Sequence, residues 1–137
     1  MTLIADTGPI VAALNRDDPD HLRCRSLLEA DDDVIVPGAT LVEIDYWLRK
    51  FGAQSAWRRF VGEIRDGLYR VAHPTEADLV RAAELEERYS DLRLGFVDAS
   101  VIALCERLDQ TRLATLDRRH FTVVKPRHCR TLTLLPA

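Results

Sequence analysis

The chain has 137 residues, of which 47% are hydrophobic and 30% are charged, a composition typical of a folded globular protein. Its formal net charge of −3 argues against a protein that binds nucleic acid mainly through many basic side chains. The length predicts a single domain over residues 1–137, large enough to bury a core without metal or disulfide cross-links.

Short apolar runs alternate along the chain with longer segments of helical periodicity, and turn-forming residues separate them. The spacing predicts, in chain order, a strand over 3–5, a short helix from 8, a helix over 18–30, a strand over 34–36, a helix over 40–52 and a fourth helix as far as 67. A strand over 69–72, a capped helix from 75 and an apolar, buried helix over 97–108 come next. The last sheet residues are expected over 112–116, 122–124 and 131–135.

This alternation of strands and helices predicts the α/β fold class. Right-handed connections between parallel strands place helices on both faces of a sheet. We therefore expect a three-layer α/β/α sandwich with a central parallel sheet. In such a sheet, ligands bind outside the carboxyl ends of the strands.

Four acidic residues are expected at that carboxyl edge. Asp6 and Asp117 each follow a predicted strand, whereas Glu43 and Asp98 lie in the first turns of helices that follow strands. Helix starts of this kind face the same edge, and their free N–H groups stabilise an anion. The four acids are 37, 55 and 19 residues apart in the sequence, and the predicted fold brings them to one rim.

Carboxylates gathered at one rim repel each other unless a cation lies between them. Hard, oxygen-seeking Mg²⁺ or Mn²⁺ is the cation that such ligands favour, with Thr7 and Thr115 available as supporting hydroxyls. An ion of this type lowers the pKa of a bound water and neutralises charge on a transferring phosphoryl group. The rim therefore indicates metal-dependent phosphoryl chemistry.

Each acid also has a purely structural interpretation. Asp6 would cap the helix that starts after it, and Glu43 would complete a capping box with Thr40. Asp98 would only stabilise the N-terminus of its own helix, and Asp117 would begin the short turn that follows it. The residues alone leave these alternatives open.

Charge is unevenly distributed along the chain. From residue 110 to the end there are six basic residues and one acid, so this segment carries +5 and the remainder carries −8. Such an asymmetry suits a protein that holds a cation and a polyanion side by side. His120 lies close to Asp117 and would meet a phosphate there, but an ordinary surface or packing role is the commoner one for a histidine.

Four sequence blocks carry the acids, and they are Leu3-Ile-Ala-Asp-Thr-Gly-Pro9, Thr40-Leu-Val-Glu-Ile44, Gly95-Phe-Val-Asp-Ala-Ser100 and Ala114-Thr-Leu-Asp-Arg-Arg-His-Phe121. In this order and at these intervals they resemble the PIN-domain ribonucleases, above all the VapC toxins of bacterial toxin–antitoxin pairs. The resemblance covers essentially the whole chain. It implies Mg²⁺- or Mn²⁺-dependent endonucleolytic cleavage of structured RNA, commonly tRNA or rRNA, which leaves a 5′-phosphate and a 3′-hydroxyl.

The resemblance also implies roles for individual residues. Asp6, Glu43 and Asp98 match the metal-binding acids of the family, and Asp117 matches a fourth, more variable acid. Thr7 and Thr115 match its supporting hydroxyls. Many members carry a further acid near the position of Gly95, so its absence here bears on how many ions bind. A cognate antitoxin and a homodimer within a larger complex are the implied protein partners.

On this hypothesis Asp6 and Asp98 bind the principal ion, and Glu43 completes the cage or orients the attacking water. Asp117 holds a second or substrate-recruited ion. The basic residues near the last acid are expected to bind flanking RNA phosphates, and they are Arg112, Arg118 and Arg119.

Two other classes of function compete with this one. A receiver-like phosphoacceptor also uses an acidic Mg²⁺ pocket, but it has an acid pair after the first strand, where this chain has Asp6 alone; a late lysine, Lys125, is present. A non-catalytic module would use the acidic pocket only to capture a basic partner segment. No apolar run approaches the length of a membrane span and no basic leader precedes Asp6, so a cytoplasmic protein is expected.

Overall fold

In the computed structural model, which describes residues 1–137, five short strands alternate with six α-helices. The strands are β1 (Thr2–Ala5), β2 (Asp33–Pro37), β3 (Arg70–Ala72), β4 (Arg112–Ala114) and β5 (Thr133–Leu135). The helices are α1 (Thr7–Leu14), α2 (His21–Ala30), α3 (Leu41–Lys50), α4 (Gln54–Arg65), α5 (Glu76–Arg88) and α6 (Phe96–Arg107). Single 3₁₀ turns, Gly38–Thr40 and Ser90–Leu92, precede α3 and α6.

The strands form one sheet in the order β3-β2-β1-β4-β5, and every neighbouring pair is parallel. Side chains alternate across it into two separate cores. Ile4, Ile35 and Leu113 face the layer formed by α5 and α6, whereas Leu3 and Val36 pack with α1, α3 and α4 on the other face. The predicted α/β/α sandwich with a central parallel sheet is therefore confirmed.

Helix α6 is largely buried, as its apolar sequence predicts. Seven consecutive residues, Ala99–Cys105, are buried, because the helix packs against both the sheet and α5. The capping box predicted at the start of α5 is also present: the Asp78 amide donates to the Thr75 hydroxyl and the Thr75 amide donates to the Asp78 carboxylate, both at 3.1 Å. None of the helices combines the length and apolar character that crossing a bilayer requires.

The predicted sheet residues at 122–124 are wrong. The amides of Val123 and Val124 both donate to the carbonyl oxygen of His120, and the amide of Thr122 donates to that of Arg118. These local bonds curl the segment into a turn and leave its amides unavailable to a strand partner. Its apolar residues Phe121 and Val124 are nevertheless buried, because the turn packs against the core under α6. The pattern of apolar residues thus reported burial and not a strand.

Candidate active site

A cleft of about 600 Å³ opens at the carboxyl edge of the sheet, beside the ends of β1 and β4. Strand β1 has β2 on one side and β4 on the other, so the chain connections diverge at this point of the sheet. Divergence of this kind leaves a crevice in which α/β proteins bind ligands. All four predicted acids line the cleft, and they are Asp6, Glu43, Asp98 and Asp117.

Asp6 lies at the end of β1 and is buried at the floor of the cleft. Its side chain makes no capping bond to α1; instead Oδ2 accepts a 3.1 Å hydrogen bond from the hydroxyl of Thr115. Burial, together with repulsion from Asp98 and Glu43, raises the pKa of Asp6 to about 7, against the opposing effect of hydrogen bonds from the main-chain amide of Thr7 and the hydroxyl of Thr115. The charges of Asp98 and Glu43 therefore affect the ionisation of Asp6.

Glu43 points from the first turn of α3 toward the start of α1. Its Oε1 accepts a 2.7 Å hydrogen bond from the hydroxyl of Thr7. The capping-box alternative is wrong, because Thr40 makes no side-chain cap bond and its hydroxyl donates to the carbonyl of Pro37 at 2.7 Å. Both predicted supporting hydroxyls thus contact a cleft carboxylate: Thr7 contacts Glu43, and Thr115 contacts Asp6.

Asp98 in the first turn of α6 contacts His120. Nδ1 of His120 lies 2.6 Å from Oδ2 of Asp98, and Nε2 lies 3.1 Å from the carbonyl oxygen of Leu92. A carboxylate and a carbonyl oxygen both accept, so each contact is a hydrogen bond when the ring nitrogen concerned carries hydrogen. The expectation of an ordinary histidine missed this contact. The available signal was position, since His120 follows β4 within a few residues and so lies at the same edge of the sheet.

Asp117 differs from the other three acids because its side chain is mostly exposed, at the rim of the cleft. Its Oδ1 accepts a 3.2 Å hydrogen bond from the amide of Arg119, so it does begin the turn that the structural alternative describes. Its carbonyl oxygen lies 3.1 Å from the Thr115 hydroxyl. That hydroxyl has one hydrogen and therefore serves either Asp6 or Asp117 at a given moment.

The structure brings only one of the three predicted phosphate-binding arginines to the cleft. Arg119 lines it, with an exposed side chain 3.8 Å from the Asp117 carboxylate. Arg112 opens β4 at the opposite edge of the sheet, where it pairs with Asp31 at 3.0 Å and donates to the Thr2 carbonyl. Arg118 donates to the carbonyls of Leu134 and Pro136 in the C-terminal segment. These placements do not support a phosphate role for Arg112 or Arg118.

The cleft also has a wall that sequence reasoning missed. Trp47 and Phe51 line it, with their rings stacked 5.8 Å apart, and their exposed fractions are 37% and 53%. They follow Glu43 at intervals of four residues, a spacing that puts side chains on one face of a helix and that would have placed them beside the acid. Asp18 lines the cleft as well, and its carboxylate accepts from the amide of Asp20 at 2.8 Å.

The donor chemistry of the cleft fits a hard divalent ion. Carboxylate oxygens are the ligands that such ions prefer, and a cation would offset the burial and the repulsion that together raise the pKa of Asp6. In their present orientations no three His, Cys, Asp or Glu side chains lie close enough together to hold one ion. Glu43 and Asp98 instead each direct an oxygen at a protein donor, Thr7 and His120. Each of these bonds engages one carboxylate oxygen and leaves the other for an ion, so sharing an ion requires the acids to move closer together but does not require these bonds to break.

Comparisons with known proteins are consistent with this geometry. Residues 3–125 match the PIN domain family. The chain is 28% identical over 135 residues to Ribonuclease VapC26 of Mycobacterium tuberculosis (strain ATCC 25618 / H37Rv). The alignment covers 98% of this chain and 100% of that protein. The fold is similar to that of M. tuberculosis VapC20, described as a Sarcin-Ricin loop cleaving toxin, with a TM-score of 0.76 and 22% identity over 85% of this chain and 90% of that one. It is also similar to VapBC2 from Rickettsia felis, bound to a promoter DNA fragment, with a TM-score of 0.67 and 16% identity over 98% of each chain.

Proposed function

The chain belongs to the PIN domain family, and from this premise we propose that it is a single-domain, metal-dependent endoribonuclease that acts as the toxin of a toxin–antitoxin pair. The observation that carries the proposal is the convergence of Asp6, Glu43 and Asp98 on one cleft at the carboxyl edge of the sheet. The full-length likeness to a protein named as a ribonuclease supports the same reaction class.

Asp6 and Asp98 are the residues that would hold the divalent ion, Mg²⁺ or Mn²⁺, and Glu43 would complete its cage or orient the attacking water. When bound, the ion neutralises charge at the scissile phosphate and acidifies the attacking water. Thr7 holds one oxygen of Glu43 and leaves the other free to orient that water and accept its proton. Thr115 holds Asp6 toward the cleft from the neighbouring strand end.

The rim residues complete the proposed reaction. Asp117 would hold a second or substrate-recruited ion, and Arg119 would contact a phosphate next to the one that is cleaved; both residues line the cleft. Water attacks phosphorus in line with the departing 3′ oxygen, so the products carry a 5′-phosphate and a 3′-hydroxyl. Structured RNA, tRNA or rRNA, is the proposed substrate, since VapC20 is described as cleaving the Sarcin-Ricin loop.

The proposed protein partners are a cognate antitoxin and a second copy of the chain. Structures similar to this one include a toxin–antitoxin complex from Klebsiella pneumoniae and VapBC2 with its promoter DNA. These likenesses support a toxin that is neutralised by a cognate antitoxin. A homodimer within that complex is part of the same proposal.

The test is cleavage of purified tRNA and rRNA by the wild type and by Asp98→Asn, each with EDTA, with Mg²⁺ and with Mn²⁺. We expect cleavage by the wild type only when a divalent ion is present, and a loss of at least 100-fold in the variant. Asp66→Asn is a matched control, because Asp66 is an exposed aspartate outside the cleft. Equal cleavage by folded wild type and Asp98→Asn would overturn the assigned role of Asp98.

The same proteins separate the alternative functions. A receiver-like protein incubated with acetyl phosphate gains a labile aspartyl phosphate, whereas a nuclease does not. A module that only captures a basic segment leaves RNA intact in every metal condition. RNA cleaved at defined sites, with no phosphorylated protein, is the outcome expected here.

A further inference from the structure

His120 is held at both ends of its ring. Nε2 lies 3.1 Å from the carbonyl oxygen of Leu92, in the 3₁₀ turn before α6, and Nδ1 lies 2.6 Å from Oδ2 of Asp98, in the first turn of α6. The two contacts bracket the segment through which the chain enters α6. A ring with one partner can still pivot, whereas a ring with two partners on opposite atoms has a defined orientation.

The turn that carries His120 is itself fixed to the core. The carbonyl oxygen of His120 accepts from the amides of Val123 and Val124 at 3.1 and 3.0 Å. The flanking side chains of Phe121 and Val124 are buried among the residues under α6. His120 is only 8% exposed although it lines the cleft. Its position is thus set by the packing and main-chain hydrogen bonds of the turn that carries it.

We propose that His120 is a positioning residue that fixes the carboxylate of Asp98 for binding of a divalent ion, an inference that rests on the proposed function. By donating to Oδ2, His120 leaves Oδ1 of Asp98 to the ion and limits rotation of the carboxylate. Side chains that orient metal ligands in this way change metal affinity or activity by about 10- to 100-fold when they are removed. His120 therefore acts on the ion through Asp98 and does not touch it.

Substituting His120 by Asn or by Gln, whose amide side chains differ in length, tests the two contacts of the ring separately. In His120→Asn the amide nitrogen lies near the position of Nδ1 and keeps a donor for Asp98. In His120→Gln it lies near the position of Nε2 and keeps only the contact with Leu92. His120→Ala removes both. The primary measurement is the affinity for Mn²⁺ alone, by titration calorimetry of the full chain without RNA, with RNA cleavage measured in parallel.

We expect His120→Gln and His120→Ala to weaken Mn²⁺ binding about 10-fold or more, and His120→Asn to remain within about threefold of the wild type. His128→Gln is the matched control, because Nε2 of His128 also contacts a carbonyl, that of Gln110 at 2.7 Å, but His128 does not line the cleft. It should leave Mn²⁺ affinity unchanged. Thermal unfolding of each variant identifies any that has lost its fold. If His120→Ala does not fold, the comparison of His120→Asn with His120→Gln is sufficient.

Unchanged Mn²⁺ affinity in folded His120→Gln would overturn the inference and leave the proposed function standing. So would equal weakening in His120→Asn and His120→Gln, because a purely structural histidine predicts no difference between them. A wild type that neither binds Mn²⁺ nor cleaves RNA would instead overturn the proposed function, and this inference with it.

Discussion

The hydroxyl of Thr115 donates a 3.1 Å hydrogen bond to Oδ2 of Asp6 and thereby ties the end of β4 to the end of β1 inside the protein. This bond favours the ionised carboxylate, but burial and the charges of Asp98 and Glu43 oppose it more strongly. The pKa of Asp6 is consequently about 7 in the metal-free protein. A buried acid that holds its proton near neutral pH has a direct effect on stability.

Asp6 should make the metal-free protein less stable as the pH rises. The folded chain binds the Asp6 proton more tightly than the unfolded chain, whose pKa is near 3.8, so this contribution to stability is complete below pH about 4 and is lost as the pH rises through about 7. Between pH 5 and 8 we expect the free energy of unfolding to fall by roughly 2–4 kcal/mol through this group. Asp6→Asn, which stays neutral, should flatten the profile.

The measurement is urea unfolding of both proteins in EDTA at unit steps of pH from 5 to 8. Added Mg²⁺ or Mn²⁺ should restore stability to the wild type at pH 8 and have little effect on Asp6→Asn, because the ion relieves the repulsion that the carboxylate feels. If the free energy of unfolding varied with pH in the same way for both proteins, Asp6 would not be the group responsible for that dependence.

The hydroxyl of Thr7 should matter to cleavage through the oxygen of Glu43 that it binds at 2.7 Å. Thr7→Val keeps the shape of the side chain but removes the donor, and we expect RNA cleavage to fall about 10- to 100-fold. Thr7→Ser retains the donor and should remain within a few fold of the wild type. The matched control is Thr2→Val, which removes a similar 2.9 Å hydroxyl–carboxylate bond, to Asp33, at the opposite edge of the sheet. Similar losses in Thr7→Val and Thr2→Val would contradict a specific role for Thr7.

The sheet and the acidic cleft were predictable because both follow from strong local patterns. Short apolar runs fix where β1 and β2 lie, and parallel strands necessarily present their carboxyl ends at one edge. Asp6 and Asp98 therefore reach the same cleft in the structure although 92 positions separate their numbers in the sequence. No knowledge of long-range contacts was needed for that step.

What the sequence concealed depends on side-chain direction. Arg112 and Arg119 are both close to the last acid in the sequence, but Arg112 begins β4 and Arg119 follows it, so the length of the strand separates them in space. His120 resembles any polar turn residue until the fold shows Leu92 and Asp98 on either side of its ring. Partners from distant segments determine these roles, and periodicity carries no information about them.

Away from the cleft, the nearly buried ion pair between Arg81 and Glu106 should contribute to stability. Its closest contact is 2.8 Å, and the two side chains are 12% and 10% exposed. Burial alone would raise the pKa of Glu106, but hydrogen bonds from Arg81 and from the amide of Arg127 outweigh it and lower that pKa. Glu106→Gln leaves the guanidinium of Arg81 with only a longer contact, 3.5 Å to the half-exposed Glu84, and we expect a loss of about 3 kcal/mol in the free energy of unfolding at pH 7.

Glu29→Gln is the control for that substitution, because Glu29 pairs with Arg25 at the same distance of 2.8 Å but both side chains are more than half exposed. Solvent screens such a pair, so we expect little change in stability. Urea unfolding of the three proteins gives the comparison. Equal stabilities for Glu106→Gln and Glu29→Gln would mean that burial of the Arg81 pair is not what strengthens it.

Arg119 should contribute to RNA binding, whereas Arg112 should contribute to stability. Arg119 lines the cleft with a mostly exposed guanidinium, so Arg119→Gln should weaken RNA binding several-fold at low salt and reduce the slope of log affinity against log salt by about 1. Arg112→Gln breaks the pair with Asp31 at the opposite edge and should lower the free energy of unfolding by about 1–2 kcal/mol. Its RNA affinity and salt slope should equal those of the wild type. Fluorescence anisotropy with a labelled RNA measures the affinity and its salt slope, in EDTA to prevent metal-dependent cleavage. A reduced slope in Arg112→Gln but not in Arg119→Gln would mean that the RNA binds near Arg112 and not at the cleft.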